Sequence, residues 1–169
     1  MTIEELNALG TGAAHEALAA CCGADGWVER MLAARPFVSR AALLRASDDA
    51  WRASPEGDML AAVAHHPRIG EAQVAQRGVD RSSGWSQGEQ AAALSASDTV
   101  RHALAAANAD YERRFGHTFI ICADGCSADD LLHALRDRLT HDPQTERATT
   151  ADELRKITAL RLGKLLDES

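Results

Sequence analysis

Apolar side chains recur at helical spacing along residues 98–115, and this repeat constrains the fold more than any other feature of the chain. They fall at Val100, Leu104, Ala107 and Tyr111, which places them on one face of an α-helix. Elsewhere the apolar residues are mainly alanine and leucine, and aromatic residues make up only 4% of the chain. Because alanine and leucine are strong helix formers and β-branched strand formers are sparse, the sequence predicts closely packed helices.

Capping signals divide the rest of the chain into further helices. The T-x-x-E and S-x-x-D patterns that begin at Thr2 and Ser127 are typical of helix N-termini, and Ser39 precedes another apolar repeat. Pro55 suits a first helical turn, and residues 150–166 are predicted to form the last helix. The 169 residues are enough to bury a core without disulfides or metals. We therefore predict an all-α, single-domain bundle of about eight helices.

Two stretches depart from this helical pattern. Residues 70–84 are polar and interrupted by glycine, so they are predicted to form a loop. Phe119–Cys122 is the only strand-like run, and it is too isolated to imply a sheet.

Charge and hydropathy exclude several classes of protein. The formal net charge is −7, and no stretch concentrates lysine and arginine, which argues against nucleic-acid binding. No apolar run approaches the roughly 20 residues that a membrane helix needs, and no secretion signal is recognisable. We therefore expect a cytoplasmic protein that binds neither nucleic acid nor membrane.

The four cysteines do not have the spacing of a disulfide framework or of a complete zinc site. Cys21 and Cys22 are adjacent, and a cytosolic setting keeps thiols reduced. Cys122 and Cys126 have the spacing of half a zinc site, but the second half is missing. We interpret all four as small buried or half-buried thiols.

The pair His66-Pro67 is the first candidate for a functional site. Proline disfavours the α conformation in the residue before it, so His66 is predicted to project from the end of a helix. His65 is expected to remain helical and to point elsewhere, and adjacent histidines lack the i, i+4 spacing of a helical zinc pair. On spacing alone, a plain helix stop is slightly favoured over a catalytic acid or base.

The run Ser86–Gln90 is the second candidate. Ser86 and Glu89 fit a capping box, which would place a helix N-terminus there. That pattern does not explain Gln90, and the free N–H groups of a helix N-terminus also favour an anionic ligand. The structural and ligand-binding interpretations carry equal weight.

Arg161 is the third candidate, because it shares a helix face with apolar residues. Leu154, Ile157 and Leu165 recur at helical spacing, and Arg161 falls among them. A guanidinium there must reach the edge of the core, pair with an internal carboxylate or bind an anionic ligand. No nucleotide loop, nucleophile elbow or metal motif is present, so the residues permit a cofactor-free enzyme for a small acidic molecule.

Five motifs together resemble the OHCU decarboxylases, which act on 2-oxo-4-hydroxy-4-carboxy-5-ureidoimidazoline (OHCU) in urate degradation. The motifs lie in the family's order at His66–Gly70, Ser86–Gln90, Asn108–Gly116, Phe119–Cys122 and Glu153–Leu162. This resemblance covers nearly the whole chain. It implies one all-α domain over residues 1–169, usually a homodimer, that forms (S)-allantoin without metal or organic cofactor.

The resemblance also implies roles for individual residues. His66 would be the catalytic acid or base, and Glu89 and Arg161 would complete the catalytic site. Substrate contacts are implied at Pro67, Ser86, Gln87, Gln90, Phe119 and Ile121, the last two largely through their backbone groups. The chain departs from the family pattern at His117, which lies close to the implied site.

Two other functions remain as alternatives. A non-enzymatic helical module that binds a ligand or partner helix would explain the amphipathic helices. It would assign no function to the three candidate sites. A zinc hydrolase could use His65, His66, Cys122 or His117. Metal analysis of the purified protein separates the second alternative from the others.

Overall fold

A computed structural model describes the backbone of residues 1–70 and 81–167, and their side chains except at residues 81–83. Within these residues the chain forms ten α-helices and no strand. The all-α prediction is confirmed, and the helix count is higher than the predicted eight. The helices are α1 (Ile3–Ala8), α2 (Thr11–Cys21), α3 (Asp25–Ala33), α4 (Arg40–Arg52), α5 (Glu56–Ala64), α6 (Arg81–Glu89), α7 (Ala91–Leu94), α8 (Asp98–Phe115), α9 (Ala128–Arg138) and α10 (Pro143–Asp167).

A first compact unit contains Met1–Ala62 and the chain from Arg155 onward. Its predicted caps are confirmed: Thr2 and Glu5 form a capping box at α1, and the Ser39 side chain accepts the N–H of Ala42 at α4. Helix α3 packs against both α2 and α4. The buried core includes Leu6, Leu18, Trp27, Val28, Met31, Leu43, Leu162 and Leu165.

A second compact unit contains Val63–Leu154. Helix α9 packs against α8 and α7 around a buried apolar cluster. The predicted face of α8 is confirmed, since Leu104, Ala107 and Tyr111 are all buried in this cluster. Helix α8 ends at Phe115 and is capped by Gly116, whose φ of +77° is a left-handed conformation that glycine adopts without strain. The predicted capping box of Ser127 is also present at α9.

The region around Ser86 differs from its prediction. Helix α6 begins at Arg81, so residues 81–84 are helical rather than part of a loop, while residues 71–80 lie outside the described chain. Ser86 is inside α6, and the predicted capping box at this position is wrong. Two glycines make the local helix propensity poor, but burial of Trp85 supplies tertiary packing that local propensity does not report.

The last helix begins earlier than predicted. Helix α10 starts at Pro143 rather than near Thr150. The Asp142 carboxylate accepts the backbone N–H groups of Gln144 and Thr145 at 2.9 and 3.1 Å. Proline suits the first helical position because it needs no N–H partner there, so Asp142-Pro143 is a local start signal.

No helix among the described residues is both long and apolar enough to cross a membrane.

Candidate active site

Helix α5 ends at Ala64, two residues before His66. The N–H of His66 donates to the carbonyl of Val63 at 3.0 Å, which closes a tight final turn. The His66 side chain is half-buried and its Nε2 atom is buried, whereas His65 is exposed. The helix ends before Pro67 as predicted, but it ends at Ala64, so the expectation that His65 is helical is wrong. The two neighbouring histidines have different environments.

Residues 66–70, which we call the His66 turn, are held by contacts from other helices in the second unit. Arg68 donates to both carboxylate oxygens of Glu112 at 2.7 and 2.6 Å. The Ile69 carbonyl accepts from Asn108 Nδ2 at 3.0 Å, and the Gly70 N–H donates to Gln90 Oε1 at 3.1 Å. Residues 66–70 are in neither a helix nor a strand, so these side-chain hydrogen bonds replace the backbone pairing of regular structure.

Glu89 lies at the C-terminal end of a helix, not at an N-terminus. It is the last residue of α6 and is buried, with 9% of its surface exposed. Ser86 and Gln90 are also buried, while Gln87 is exposed. Ser86 therefore does not begin a helix. Gln90 is the N-cap of the four-residue helix α7 and makes no side-chain cap hydrogen bond.

Phe119–Cys122, which we call the 119–122 segment, has no regular secondary structure. Its backbone is held from two sides by side chains of the second unit. Arg138 Nη1 donates to the Ile120 carbonyl at 2.6 Å, and the Cys122 N–H donates to Glu153 Oε2 at 2.8 Å. The buried Phe119 ring lies edge-on to Tyr111, with 5.2 Å between centroids. Its strand-like sequence therefore reflects burial rather than pairing in a sheet.

A buried charged network supports this segment. The Glu146 carboxylate, fully buried, accepts from Arg138 Nε and Nη2 at 2.9 and 2.5 Å and from the Tyr111 hydroxyl. His141 Nδ1 lies 2.8 Å from its other oxygen. Burial opposes the charge of Glu146, but the hydrogen bonds from Arg138 and Tyr111 hold its pKa below the ordinary value. The network therefore keeps a carboxylate ionised inside the second unit.

The negative charge of Glu89 affects the pKa of Cys122 in the 119–122 segment. Burial is the main cause that raises the pKa of the Cys122 thiol. The negative charges of Glu153 and Glu89 raise that pKa further, because they disfavour a thiolate nearby. Glu89 thus lies within electrostatic range of Cys122 in the second unit.

Arg161 is buried within the first unit, as its position on an apolar helix face predicted. Only 4% of its surface is exposed. Thr158, one turn earlier in α10, accepts a hydrogen bond from Trp51 Nε1 at 3.2 Å. Burial raises the pKa of the nearby Cys22 thiol to about 12, while Thr158 and the Arg161 charge act in the opposite direction. The guanidinium is therefore held in a buried, partly polar environment.

The reactivity of the Cys22 thiol tests whether this part of the first unit is buried. At pH 8, a pKa of about 12 leaves Cys22 with a thiolate fraction near ~10⁻⁴, so we expect iodoacetamide to alkylate it about 10³-fold more slowly than in denatured protein. Mass spectrometry of the digested protein measures the rate at each cysteine, with denatured protein as the control. Equal rates at Cys22 in both states would contradict its buried position.

All four cysteines are free: Cys21 and Cys22 are buried, and Cys122 and Cys126 are half-buried. The interpretation as buried or half-buried thiols is confirmed. In the part of the chain that the structure describes, no three His, Cys, Asp or Glu side chains are grouped so that they could hold a metal ion.

The family model described as OHCU decarboxylase matches residues 7–163. The chain belongs to the OHCU decarboxylase family.

Individual relatives agree with this membership. The uric acid degradation bifunctional protein TTL of Arabidopsis thaliana is 32% identical over 88% of this chain and 46% of its own length. The OHCU decarboxylase of Haloferax volcanii is 29% identical over 97% of this chain and 95% of its own length. A crystal structure of OHCU decarboxylase in the presence of (S)-allantoin has a TM-score of 0.77 and 28% identity, covering 90% of this chain and 99% of that one. The chain thus spans about half the length of the Arabidopsis relative and nearly all of the Haloferax one.

The positions implied by resemblance to OHCU decarboxylases fall in four parts of the structure. His66 and Pro67 lie in the His66 turn, and the Ser86–Gln90 positions follow one another at the end of α6. Phe119 and Ile121 belong to the 119–122 segment. These three parts are in the second unit, and Arg161 is in the first. The convergence of Arg161 with His66 and Glu89 stays a prediction.

The sequence analysis assigned no function to several residues that hold the His66 turn and the 119–122 segment. Asn108, Arg138 and Glu146 are polar residues with at most 5% of their surface exposed. Asn108 had a signal, because it falls on the apolar face of α8 between Leu104 and Tyr111. Arg138 and Glu146 are eight residues apart on different helices, so no helical spacing connects them.

Proposed function

We propose that this chain catalyses the cofactor-independent decarboxylation of OHCU to (S)-allantoin in urate degradation. The observation that carries the proposal is the family match over residues 7–163. It is supported by the Haloferax relative, which is named for this activity and is matched over 95% of its length. The related crystal structure obtained with (S)-allantoin supports the same product.

The substrate itself provides the electron sink. Its carboxylate is attached to a ring carbon beside a C=N bond, so the electron pair released with CO2 moves towards the imine nitrogen, which takes up a proton. The 4-hydroxyl then loses its proton as C5 gains one, and the enol-like intermediate becomes allantoin. Because the imine accepts the electrons, the protein needs only to orient the substrate and manage protons.

His66 is the residue that we assign to proton transfer. His66 is half-buried and follows the end of α5, and a histidine side chain can act as acid or base near neutral pH. Glu89 orients the imidazole. The support for this role is that Glu89 is a buried carboxylate in the same compact unit as His66.

Arg161 is assigned to the anionic part of the substrate. It is buried, and the planar fork of donors on a guanidinium matches the two oxygens of a carboxylate. The substrate carries such a carboxylate. Pro67, Ser86, Gln87, Gln90, Phe119 and Ile121 remain the proposed substrate contacts, with Phe119 and Ile121 acting through backbone groups that Arg138 and Glu153 help to hold in place.

The experiment that tests the reaction is a time course by ¹³C NMR. Urate oxidase and hydroxyisourate hydrolase generate OHCU from ¹³C-labelled urate, and purified protein is added in catalytic amount. We expect the OHCU carboxylate signal to disappear faster as labelled CO2 and bicarbonate appear. An unchanged rate of OHCU loss would contradict decarboxylase activity and would favour the binding-module alternative.

We further propose that residues 1–169 act as one domain, in a cytoplasmic homodimer. The support is the resemblance to OHCU decarboxylases and the family match across both compact units. Size-exclusion chromatography with light scattering tests the dimer, and a particle of one chain's mass would contradict it.

A further inference from the structure

A single peptide group in the His66 turn is held by two side-chain amides. The Ile69 carbonyl and the Gly70 N–H belong to the same planar peptide. Asn108 Nδ2 donates to the carbonyl at 3.0 Å, and Gln90 Oε1 accepts from the N–H at 3.1 Å. Asn108 and Gln90 are buried, with 2% and 7% of their surfaces exposed, so water does not compete strongly for these bonds. The orientation of this peptide is therefore fixed from both sides.

The two amides come from different elements. Asn108 is on α8, one turn before Glu112, which pairs with Arg68 of the same turn. Gln90 follows Glu89 directly at the end of α6, and its N–H donates to the Ser86 carbonyl at 3.1 Å. The peptide thus connects α8 and the end of α6 to a turn that begins at His66.

We propose that Gln90 and Asn108 are positioning residues that set the His66 imidazole relative to Glu89. The proposal rests on the proposed function, in which His66 transfers protons and Glu89 orients it. Arg68 also pairs with Glu112, but Arg68 is exposed, whereas Asn108 and Gln90 are buried. The Ile69 side chain lies in the apolar core. The amide bonds to the Ile69–Gly70 peptide supply the directional restraint that packing alone does not give.

The same contact restricts what Gln90 offers to a substrate. Its Oε1 accepts from Gly70, and its Nε2 carries the two N–H donors of the amide. Gln90 therefore offers its Nε2 donors to a hydrogen-bond acceptor, such as a carbonyl or carboxylate oxygen. In this assignment, Gln90 holds the Gly70 N–H through Oε1 and contacts the substrate through Nε2.

Asn108 provides the cleaner test, because it has no implied substrate contact. Its Oδ1 is buried and has no hydrogen-bond partner among the described residues. Asn108→Leu, similar in size, removes the donor to Ile69 and leaves no new polar atom on the side chain. Gln90→Met similarly removes the acceptor for Gly70. Arg114→Met is the matched control, since Arg114 is also on α8 but donates to the His141 carbonyl at 2.8 Å rather than to the His66 turn.

The experiment compares steady-state kinetics of the folded proteins, well below their melting temperatures. We expect kcat of Asn108→Leu to fall about 10- to 100-fold with little change in KM, because a misplacement of ~1 Å is enough for such losses. Gln90→Met should lower kcat and raise KM. The double variant should lose less than the product of the two single losses, since both act on one peptide. Arg114→Met should keep the kcat of the original chain.

The His66 ring signals in NMR spectra give a readout that does not depend on turnover. Asn108→Leu and Gln90→Met should shift these signals, identified among the seven histidines by their loss in His66→Asn, while Arg114→Met leaves them in place. Unchanged signals together with kcat within about twofold of the original would overturn the proposal. If the original chain itself does not accelerate OHCU loss, the proposed function fails, and the ring signals still decide whether the two amides position His66.

Discussion

Replacing His66 with asparagine is expected to lower kcat for OHCU decarboxylation by about 10²- to 10⁴-fold while the protein stays folded. Asparagine retains a polar side chain at the end of α5 but cannot exchange a proton near neutral pH. The proposed reaction needs a proton to leave the 4-hydroxyl and another to reach C5. Steady-state kinetics with substrate generated in place measure the loss, and circular dichroism in the far ultraviolet checks the fold.

His65→Asn is the matched control for this prediction. The neighbouring histidine is exposed, whereas the Nε2 atom of His66 is buried. The control should retain the activity of the original chain. Near-normal turnover in His66→Asn would remove His66 from the mechanism, and an equal loss in both variants would show that the helix end, rather than one imidazole, is required.

Replacing Glu146 with glutamine is expected to lower the free energy of unfolding by about 3–5 kcal/mol at pH 7. The carboxylate is fully buried, and it pairs with Arg138, which also holds the Ile120 carbonyl. Glutamine leaves the Arg138 charge buried without a charged partner. Urea denaturation, followed by circular dichroism, measures the change.

An exposed ion pair provides the control. Arg113 and Asp110 form a salt bridge one turn apart on α8, and both side chains are largely exposed. Asp110→Asn should change the free energy of unfolding by about 0.5 kcal/mol or less, as exposed pairs contribute little. Equal losses in Asp110→Asn and Glu146→Gln would contradict the importance of the buried pair.

The Glu146 contribution should also depend on pH. Its folded-state pKa lies below the ordinary value of 4.5, so the contribution is present above that value and is lost as the pH falls through the folded-state pKa. The stability difference between the original chain and Glu146→Gln should therefore shrink in acid. A constant difference from pH 7 to pH 3 would contradict an ionised Glu146.

Features that depend on nearby residues could be predicted from the sequence. The caps at Thr2, Ser39 and Ser127 each use a side chain and a backbone group three residues apart, and all three are confirmed. Arg161 was correctly placed on a buried helix face because its neighbours repeat at helical spacing. The start of α10 at Asp142-Pro143 was also a local signal, although it was missed.

Features that depend on tertiary contacts could not be predicted in this way. Helix α6 contains two glycines and has a weak apolar repeat, so its sequence resembles a loop. Resemblance implied a substrate contact at Gln90 but not its bond to Gly70, which joins residues that are 20 apart in the chain. The pairing of Arg138 with Glu146 likewise depends on the packing of α9 and α10. Polar residues on an apolar helix face, such as Asn108, are the signal that sequence analysis can use.

The most direct test of the proposed active site is the handedness of its product. OHCU is generated from urate by urate oxidase and hydroxyisourate hydrolase, and circular dichroism follows allantoin as it forms. A site that delivers the proton from one face should give a rapid signal of the S enantiomer when the protein is added. Racemic allantoin at an unchanged rate would contradict a catalytic site built on His66, Glu89 and Arg161.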